Sequence, residues 1–337
     1  MGLSVGGQAL PLSPITGTPR IHENLLSIED LRVEAGGRAI IEGVSLEIAR
    51  GEMVGLVGES GCGKSVTALS IMRLLAEPPM RIPSGRVIFE GTDLLTLDER
   101  RLQAIRGDAI SMIFQEPMTS LNPVFTIGDQ IAETVRLHRR VSRAASEDRA
   151  AELLARVGIP APREALGRYP HQLSGGQRQR AMIAIALANE PRLLIADEPT
   201  TALDVTVQAQ ILELIDGLRR ETGMAVLLIT HDLGVVSNYC DRVMVMYGGR
   251  VVEEAPAGEL FARPMHRYTE ALLRTIPAAN PPGVELPAIA GTVPPPGFRP
   301  GGCSFHPRCQ AMIERCTRDV PVLTGERHRA ACWNPAA

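Results

Sequence analysis

The segment GESGCGKS, residues 58–65, constrains the fold of this 337-residue chain more than any other stretch. It matches the pattern G-x-x-x-x-G-K-[ST], in which glycines let successive backbone N–H groups turn inward around a phosphate chain. The pattern lies between an apolar stretch, MVGLVG, and the helically spaced SVTALSIMRLLAE. Because helix N-termini favour anions, the sequence predicts a nucleotide-phosphate site in an α/β fold. The residues expected at the nucleotide are Gly58, Ser60, Gly61, Cys62, Gly63, Lys64, Ser65 and Val66.

Two acidic residues end a second apolar stretch, RLLIADEP. Lys64 is expected to reach the β- and γ-phosphates, and Ser65 and Asp197 are expected to ligate Mg²⁺. Glu198 follows directly and can accept a proton from the attacking water or orient it. The Cys62 thiol is expected to serve packing rather than chemistry. Because phosphoryl transfer needs positioning and charge neutralisation, these residues predict a phosphoryl-transfer site.

The order of apolar and periodic segments predicts the organisation of the chain. Strand-like and helix-like segments alternate, which indicates a sheet with parallel strands and helices on both faces. We expect residues 1–24 to form a flexible leader and residues 25–265 to form the main domain, with an inserted helical subdomain at about residues 120–190. Residues 266–337 predict an extension, in which a proline- and glycine-rich linker leads to a cysteine-rich end.

A second glycine-rich helix start, LSGGQRQR, precedes the RLLIADEP stretch. Its hydroxyl and free N–H groups predict a second anion-binding helix end, formed by Ser174, Gly175, Gly176 and Gln177. Such a helix cap can be purely structural in an arbitrary protein. Here it lies just upstream of the acidic strand end, and the combination of the two motifs is a highly specific sequence pattern.

With these motifs in order, the chain resembles the ATP-binding cassette (ABC) ATPases over roughly residues 25–265. The resemblance implies a mixed sheet, ATP and Mg²⁺ as ligands, and ATP hydrolysis. Gln115 in IFQEP is similar to the family glutamine that touches Mg²⁺ or water, and Asp204 ends the similar TTALD loop. His231 in LLITHD is similar to the histidine that bonds the γ-phosphate. The resemblance thus names Glu198, His231 and Gln115 as catalytic residues.

The same resemblance implies that ATP is enclosed between the phosphate loop of one protomer and the LSGGQ corner of another. Family members usually place an aromatic residue about 23 positions before the phosphate loop, where it stacks on adenine. The matching residue here is Ala35, in VEAGGR. We therefore expect weak discrimination between ATP and GTP, and base contacts that come from elsewhere.

Two further stretches, MIFQEPMTSLNPVFTIGDQI and HRYTEALLRTIP, resemble the ATP-binding subunits of oligopeptide and dipeptide importers. That resemblance implies two membrane-spanning permeases, an extracytoplasmic peptide-binding protein and a second, related ATPase. It also implies a peripheral location on the cytoplasmic face of the inner membrane. Nickel or another cargo is an alternative, since the cargo is chosen mainly by the other subunits.

Two other classes of function stay open as less favoured interpretations. An ABC enzyme acting on DNA or ribosomes usually has two cassettes or a long coiled coil, and neither pattern occurs here. A net charge of −3 also gives the chain no strong attraction for nucleic acid. A redox module regulated by nucleotide is the remaining alternative, suggested by the cysteines near the C-terminus.

Four of the six cysteines lie near the C-terminus, with the spacing C-x5-C-x6-C-x15-C. Four thiolates suit a [4Fe–4S] cluster or Zn²⁺, and the importer resemblance favours iron–sulfur. Reduced cysteines without a metal are the third possibility, and His306 and His328 are alternate ligands or solvated residues. The expected ligands are Cys303, Cys309, Cys316 and Cys332. The arginines expected to offset an anionic cluster are Arg299, Arg308, Arg315, Arg318, Arg327 and Arg329.

Overall fold

A computed structural model describes residues 24–115, 120–201, 203–276 and 287–336. Almost all of the predicted leader therefore lies outside the described residues, as do parts of the segment after Gln115 and of the proline-rich linker. Two β-sheets form the centre of the described part of the chain. Among these residues, no helix combines the length and the apolar character that a bilayer crossing requires.

The smaller sheet is a four-stranded antiparallel layer that begins the described chain. Its order is β2-β1-β4-β5, and alternating apolar residues of β1 and β2 face the interior. The strand bounds are β1 Asn24–Ala35, β2 Arg38–Ala49, β4 Met80–Phe89 and β5 Thr92–Asp93.

The larger sheet has seven strands in the order β11-β10-β9-β3-β8-β7-β6. Its strands from β9 to β6 run parallel, whereas β10 and β11 add antiparallel pairings at one edge. Every residue of β3, β7 and β8 is buried, because helices or the smaller sheet cover both faces. The strand bounds are β3 Met53–Val57, β6 Ile110–Ile113, β7 Leu193–Asp197, β8 Ala225–Thr230, β9 Arg242–Tyr247, β10 Arg250–Pro256 and β11 Arg329–Ala330.

Helices fill most of the chain between β6 and β7, and side-chain caps fix where several of them begin. Thr126, Ser142 and Ser174 each accept a hydrogen bond from a free N–H group of the first turn. The helix bounds are α1 Lys64–Ile71, α2 Glu99–Ile105, α3 Ile127–His138, α4 Arg143–Arg156, α5 Pro162–Ala165, α6 Gly175–Ala186, α7 Val205–Thr222, α8 Leu233–Tyr239, α9 Ala257–Ala262, α10 Arg267–Arg274 and α11 Arg315–Arg318. Short 3₁₀ turns occur at Leu94–Thr96, Pro170–Gln172 and His306–Arg308.

The hydrophobic interior divides into two clusters on opposite sides of the large sheet. One joins the large sheet to the helices between β6 and β7 and to α7, and the other joins it to the smaller sheet. Cys240 is buried at the end of α8, where it packs in the core, and burial raises its pKa to about 12.

The C-terminal extension packs directly on this core instead of forming an appendage. Its strand β11 pairs with β10 and so completes the large sheet. Phe305 is 2% exposed and meets Tyr247 and Tyr268 with ring centroids 5.3 Å apart in each case. Edge-on and tilted aromatic contacts of this kind stabilise beyond their buried area.

Two local expectations from the sequence were wrong. The helix after the phosphate loop ends at Ile71, well before the end of the helically spaced stretch, because Arg73 has a φ of +48° in the left-handed region and the Leu74 N–H closes the helix end on the Leu69 carbonyl oxygen at 2.8 Å. His328 is not solvated: its Nε2 lies 2.7 Å from Oε1 of the fully buried Glu253. Glu253 also accepts hydrogen bonds from the backbone of Met265 and His266, so it ties the extension to the end of the main domain.

Candidate nucleotide site

The phosphate loop occupies residues 58–63, between the end of β3 and the start of α1. Gly58 has a φ of +153°, and a Cβ there would lie 2.3 Å from the carbonyl oxygen of Met246. Gly63 has a φ of +110° and forms the N-cap of α1. Ser60 and Gly61 are exposed at the tip of the loop. Glycine is therefore required at both ends of a loop whose tip is open to a ligand.

Lys64 and Ser65 begin α1 and point back toward the loop. The Lys64 ammonium is buried and donates to the carbonyl oxygens of Gly58 at 2.8 Å and Glu59 at 3.2 Å. Buried Cys62 packs beneath it, and burial raises the pKa of the Cys62 thiol. Val66 continues the helix and is half-buried. The loop thus presents one lysine charge and a helix N-terminus together.

The acidic pair lies at the carboxyl end of β7. Ser65 Oγ donates to Asp197 Oδ1 at 3.1 Å, so two oxygen ligands of the kind that Mg²⁺ prefers lie side by side. Burial raises the pKa of Asp197, and the neighbouring Glu198 charge raises it further, whereas the Ser65 bond lowers it. A bound divalent cation would favour the charged carboxylate that burial disfavours.

Glu198 is the centre of a hydrogen-bond network just beyond Asp197. Its Oε2 accepts from Gln115 Nε2 at 3.0 Å and from Thr201 Oγ1 at 2.9 Å, and its Oε1 lies 3.4 Å from His231 Nδ1. Although burial acts to raise the pKa of Glu198, the Thr201 and His231 contacts outweigh it and hold the pKa below its usual value. The structure therefore brings all three predicted catalytic residues into contact.

The backbone of Glu198 is also unusual, because its φ of +47° lies in the left-handed region. Its N–H donates to the carbonyl oxygen of Ile229 in β8 at 2.8 Å, which holds this conformation. Non-glycine residues in this region are uncommon and concentrate at functional sites.

The LSGGQ corner begins α6 and forms a closed capping box. Ser174 Oγ accepts from the Gln177 N–H, and Gln177 Oε1 accepts from the Ser174 N–H. Ser174 and Gly175 are exposed, and a Cβ at Gly176 would lie 3.0 Å from Val207 Cγ1. Among the described residues, no hydrogen bond joins this corner to the phosphate loop.

Asp204 caps the next long helix and does not reach the acidic pair. Its Oδ1 accepts from the Val207 N–H at 2.9 Å, at the start of α7. Because Val207 also contacts Gly176, the LSGGQ corner and the Asp204 loop share one exposed surface.

Sequence reasoning missed a second set of contacts at the phosphate loop. Arg308, from the C-terminal extension, forms a two-pronged ion pair with Glu59 at 2.7 and 3.0 Å, and its side chain is 5% exposed. Tyr268 Oη accepts from the Glu59 N–H at 2.9 Å. The Glu59 bonds raise the pKa of Arg308 well above its usual value. The extension therefore holds the phosphate loop directly.

The four C-terminal cysteines are reduced and lie near one another. Burial raises the pKa of Cys303 to about 11, and the charges of Cys316, Cys332 and Cys309 add to that effect. Within the described residues, however, no three cysteine, histidine or acidic side chains lie close enough together to hold a metal ion. The predicted metal site is thus not confirmed.

Each of the six arginines expected to offset a cluster pairs with a carboxylate. The cation that acts on Cys309 and Cys332 is instead Arg267, in α10, which lowers the pKa of both thiols against the effect of burial. The partners of the six arginines are Glu42, Glu59, Asp319, Glu314, Glu259 and Glu254.

Comparison with known families decides between the classes of phosphate-binding protein. The ABC transporter family model matches residues 41–201, and the model of the oligopeptide/dipeptide transporter C-terminal region matches residues 252–316. A protein of Sinorhizobium fredii named as a peptide ABC transporter ATP-binding protein is 53% identical over 316 residues, covering 92% of this chain and 94% of the relative. The chain belongs to the ATP-binding proteins of ABC transporters. It is accordingly an ATPase of that family.

Other relatives and solved structures agree with this placement. A Brucella abortus protein named as a peptide import ATP-binding protein is 50% identical over 335 residues, covering 94% of this chain and 99% of the relative. The dimeric post-hydrolysis structure of the ATP-binding cassette MJ0796, bound to ADP and Pi, has a TM-score of 0.62 at 30% identity and covers 69% of this chain and 98% of that one. The cassette cbiO1 of Clostridium perfringens, from the transporter complex cbiONQ, has a TM-score of 0.62 at 28% identity, covering 71% and 91%.

The Arg308–Glu59 pair predicts an energetic coupling between the extension and nucleotide binding. Replacing Arg308 with Gln should weaken ATP binding, because Glu59 loses its partner and the phosphate loop loosens. The double variant Arg308→Gln with Glu59→Gln should recover part of that loss, with a coupling of about 1 kcal/mol, roughly fivefold in Kd. Titration of ATP into the full chain and the three variants measures this cycle.

The matched control is Arg318→Gln, which removes an exposed ion pair of the same extension and should leave ATP affinity unchanged. Strictly additive effects of the Arg308 and Glu59 substitutions would contradict a direct role for this pair.

Proposed function

We propose that this ABC ATPase hydrolyses ATP to power import of di- or oligopeptides, as one of two nucleotide-binding subunits of a transporter. The observation that carries the proposal is the continuous network from Ser65 through Asp197 and Glu198 to His231. It occurs in a chain about half identical to proteins named as peptide importers' ATP-binding subunits. No specific observation favours nickel or another cargo.

The proposed division of labour follows from the contacts of each side chain. The phosphate loop and Lys64 would bind the phosphates, Ser65 and Asp197 would hold Mg²⁺, and Gln115 would contact the ion or a water bound to it. Mg²⁺, when bound, neutralises charge on the β- and γ-phosphates. Glu198, held ionised by its neighbours, orients the attacking water and accepts its proton. His231, whose Nδ1 lies 3.4 Å from Glu198 Oε1, would donate a hydrogen bond to the γ-phosphate.

The second wall of the reaction chamber comes, in this proposal, from another cassette. The LSGGQ corner is exposed, with Ser174 and Gly175 available at a helix N-terminus, yet it makes no hydrogen bond to its own phosphate loop. Asp204 lies beside it on the same surface. Two cassettes facing each other would therefore each supply Ser174, Gly175, Gly176 and Gln177 to the nucleotide of the other.

The remaining subunits follow from membership of this transporter family. Transmembrane permeases are the partners that an importer ATPase requires, and the relatives named as peptide import ATP-binding proteins support this assignment. We further propose a related second ATPase, an extracytoplasmic peptide-binding protein and a position on the cytoplasmic face of the inner membrane. Within the chain, we assign the cassette to residues 25–265, its helical subdomain to about residues 120–190, and the extension to residues 266–337.

Replacing Glu198 with Gln tests the catalytic assignment. ATP hydrolysis by the assembled transporter should fall by about 100-fold or more, because the water loses its proton acceptor. ATP binding should persist, so peptide uptake stops with nucleotide bound. Glu213→Gln, an exposed acidic residue of α7, is the matched control and should retain full activity. Unchanged turnover in the Glu198 variant would exclude this residue as the base.

We also propose that Cys303, Cys309, Cys316 and Cys332 hold a [4Fe–4S] cluster, with Zn²⁺ as the alternative. Four thiolates are a suitable donor set for either group, and the Cys303 N–H donates to the Cys316 carbonyl oxygen at 2.8 Å, so two of the four residues are adjacent in the fold. Burial disfavours the free thiolates here, and a bound metal would reverse that preference. A cluster would supply structural cross-linking of the extension, at a site joined through Arg308 to the phosphate loop.

Metal analysis tests the cysteine assignment independently of ATPase activity. The chain, purified anaerobically with its permeases, should contain about four iron atoms and four sulfides and absorb in the thiolate-to-iron charge-transfer region. Cys316→Ser should lose this signal, whereas Cys240→Ala should keep it, because Cys240 lies in the core. Zinc without sulfide would select the alternative, and protein without either metal would refute both.

A further inference from the structure

Phe298 is the most exposed aromatic side chain among the described residues, with 59% of its surface open to solvent. It lies in the C-terminal extension, just before the cysteine segment. The guanidinium of Arg38 lies over its ring, 4.4 Å from the ring centroid. An open aromatic ring beside a cation is a surface on which flat, π-rich groups stack.

This ring is located at the tip of the β1–β2 hairpin. Arg38 is the direct cross-strand partner of Ala35, and Gly36 and Gly37 form the turn between them. Side chains of directly opposed residues lie on the same face and within contact distance of each other. The Phe298 ring therefore reaches the same face of the hairpin tip as Ala35, whose methyl group offers no stacking surface.

The position of Phe298 is fixed by its two neighbours. A Cβ at Gly297 would lie 2.6 Å from the Cβ of Arg38, so the backbone passes directly over that residue. The Arg299 side chain is 10% exposed, donates to the carbonyl oxygen of Ile40 and pairs with Glu42 at 3.0 Å. The extension is thereby held against β2 on both sides of the ring.

The same stretch of β2 contacts the phosphate loop. A Cβ at Gly63 would lie 3.4 Å from Ile41 Cγ1. Gly249 links the two further, because its N–H donates to the Cys62 carbonyl oxygen and its own carbonyl accepts from the Glu42 N–H. A nucleotide whose phosphates occupy the loop thus has this hairpin tip as a neighbouring surface for its base.

We infer that Phe298, backed by Arg38, is the surface on which the base of the bound nucleotide stacks. The inference rests on the proposed function, since it requires that the phosphate loop binds a nucleoside triphosphate. Stacking on an aromatic ring is tolerant of base identity because every base has a π-face. Phe298 therefore strengthens binding of ATP and GTP alike and makes no distinction between them.

Equilibrium binding to the full chain with Mg²⁺ tests the inference, using ATP, GTP and inorganic tripolyphosphate. Phe298→Ala should weaken ATP and GTP binding by about tenfold, because stacking on the ring is lost. Tripolyphosphate has no base, so its affinity should not change. Phe298→Trp should retain or improve nucleotide affinity, and Phe125→Ala, another exposed aromatic residue, should bind all three probes like the unaltered chain.

A compensating substitution gives a second, sharper measurement. Ala35→Tyr in the Phe298→Ala background returns an aromatic ring to the same face of the hairpin and should restore most of the ATP affinity. Wild-type ATP affinity in Phe298→Ala, or an equal loss for tripolyphosphate, would overturn the inference while leaving the ATPase assignment intact. Failure of the unaltered chain to bind any nucleotide would instead overturn the proposed function itself.

Discussion

The carboxyl ends of four parallel strands lie together on one side of the seven-stranded sheet. The chemistry of this chain depends on this arrangement, because the phosphate loop and the catalytic residues lie at these strand ends. The phosphate loop follows β3, Gln115 follows β6, the Asp197–Glu198 pair ends β7 and His231 follows β8. Parallel pairing brings these ends together although they are far apart in sequence. The backbone of Glu198, held by Ile229 in the left-handed region, then aims the carboxylate at its neighbours.

The C-terminal extension also belongs to the nucleotide site, because its residues hold the phosphate loop and the neighbouring strand β2. Strand β11 completes the sheet, Arg308 and Tyr268 hold Glu59, and Arg299 holds β2 beside the loop. These hydrogen bonds and ion pairs are partly buried, so a shift of the extension would break several of them at once. Any change in the cysteine segment, by metal binding or by oxidation, acts on residues adjacent to Arg308 and so close to the phosphate loop.

The sequence was most informative where the signal is local. The phosphate loop, the buried strands before it and before Asp197, and the capped start of α6 depend on near neighbours, and the structure contains all of them. Pairings across long separations were missed: Glu59 and Arg308 are 249 residues apart, and nothing in the sequence distinguishes Arg308 from the other arginines of the extension. The prediction that His328 is solvated was wrong for the same reason, because its partner Glu253 lies far away in the sequence, in strand β10.

We propose that one chain holds only part of each reaction chamber and that a neighbouring cassette must complete it. The most direct measurement is ATP turnover per chain, determined for a strictly monomeric preparation and for the assembled transporter. In both samples, Ser174 and Gly176 are replaced by bulky residues. We expect negligible turnover by the monomer and loss of turnover in the substituted assembly. Full-rate hydrolysis by the substituted monomer would contradict it.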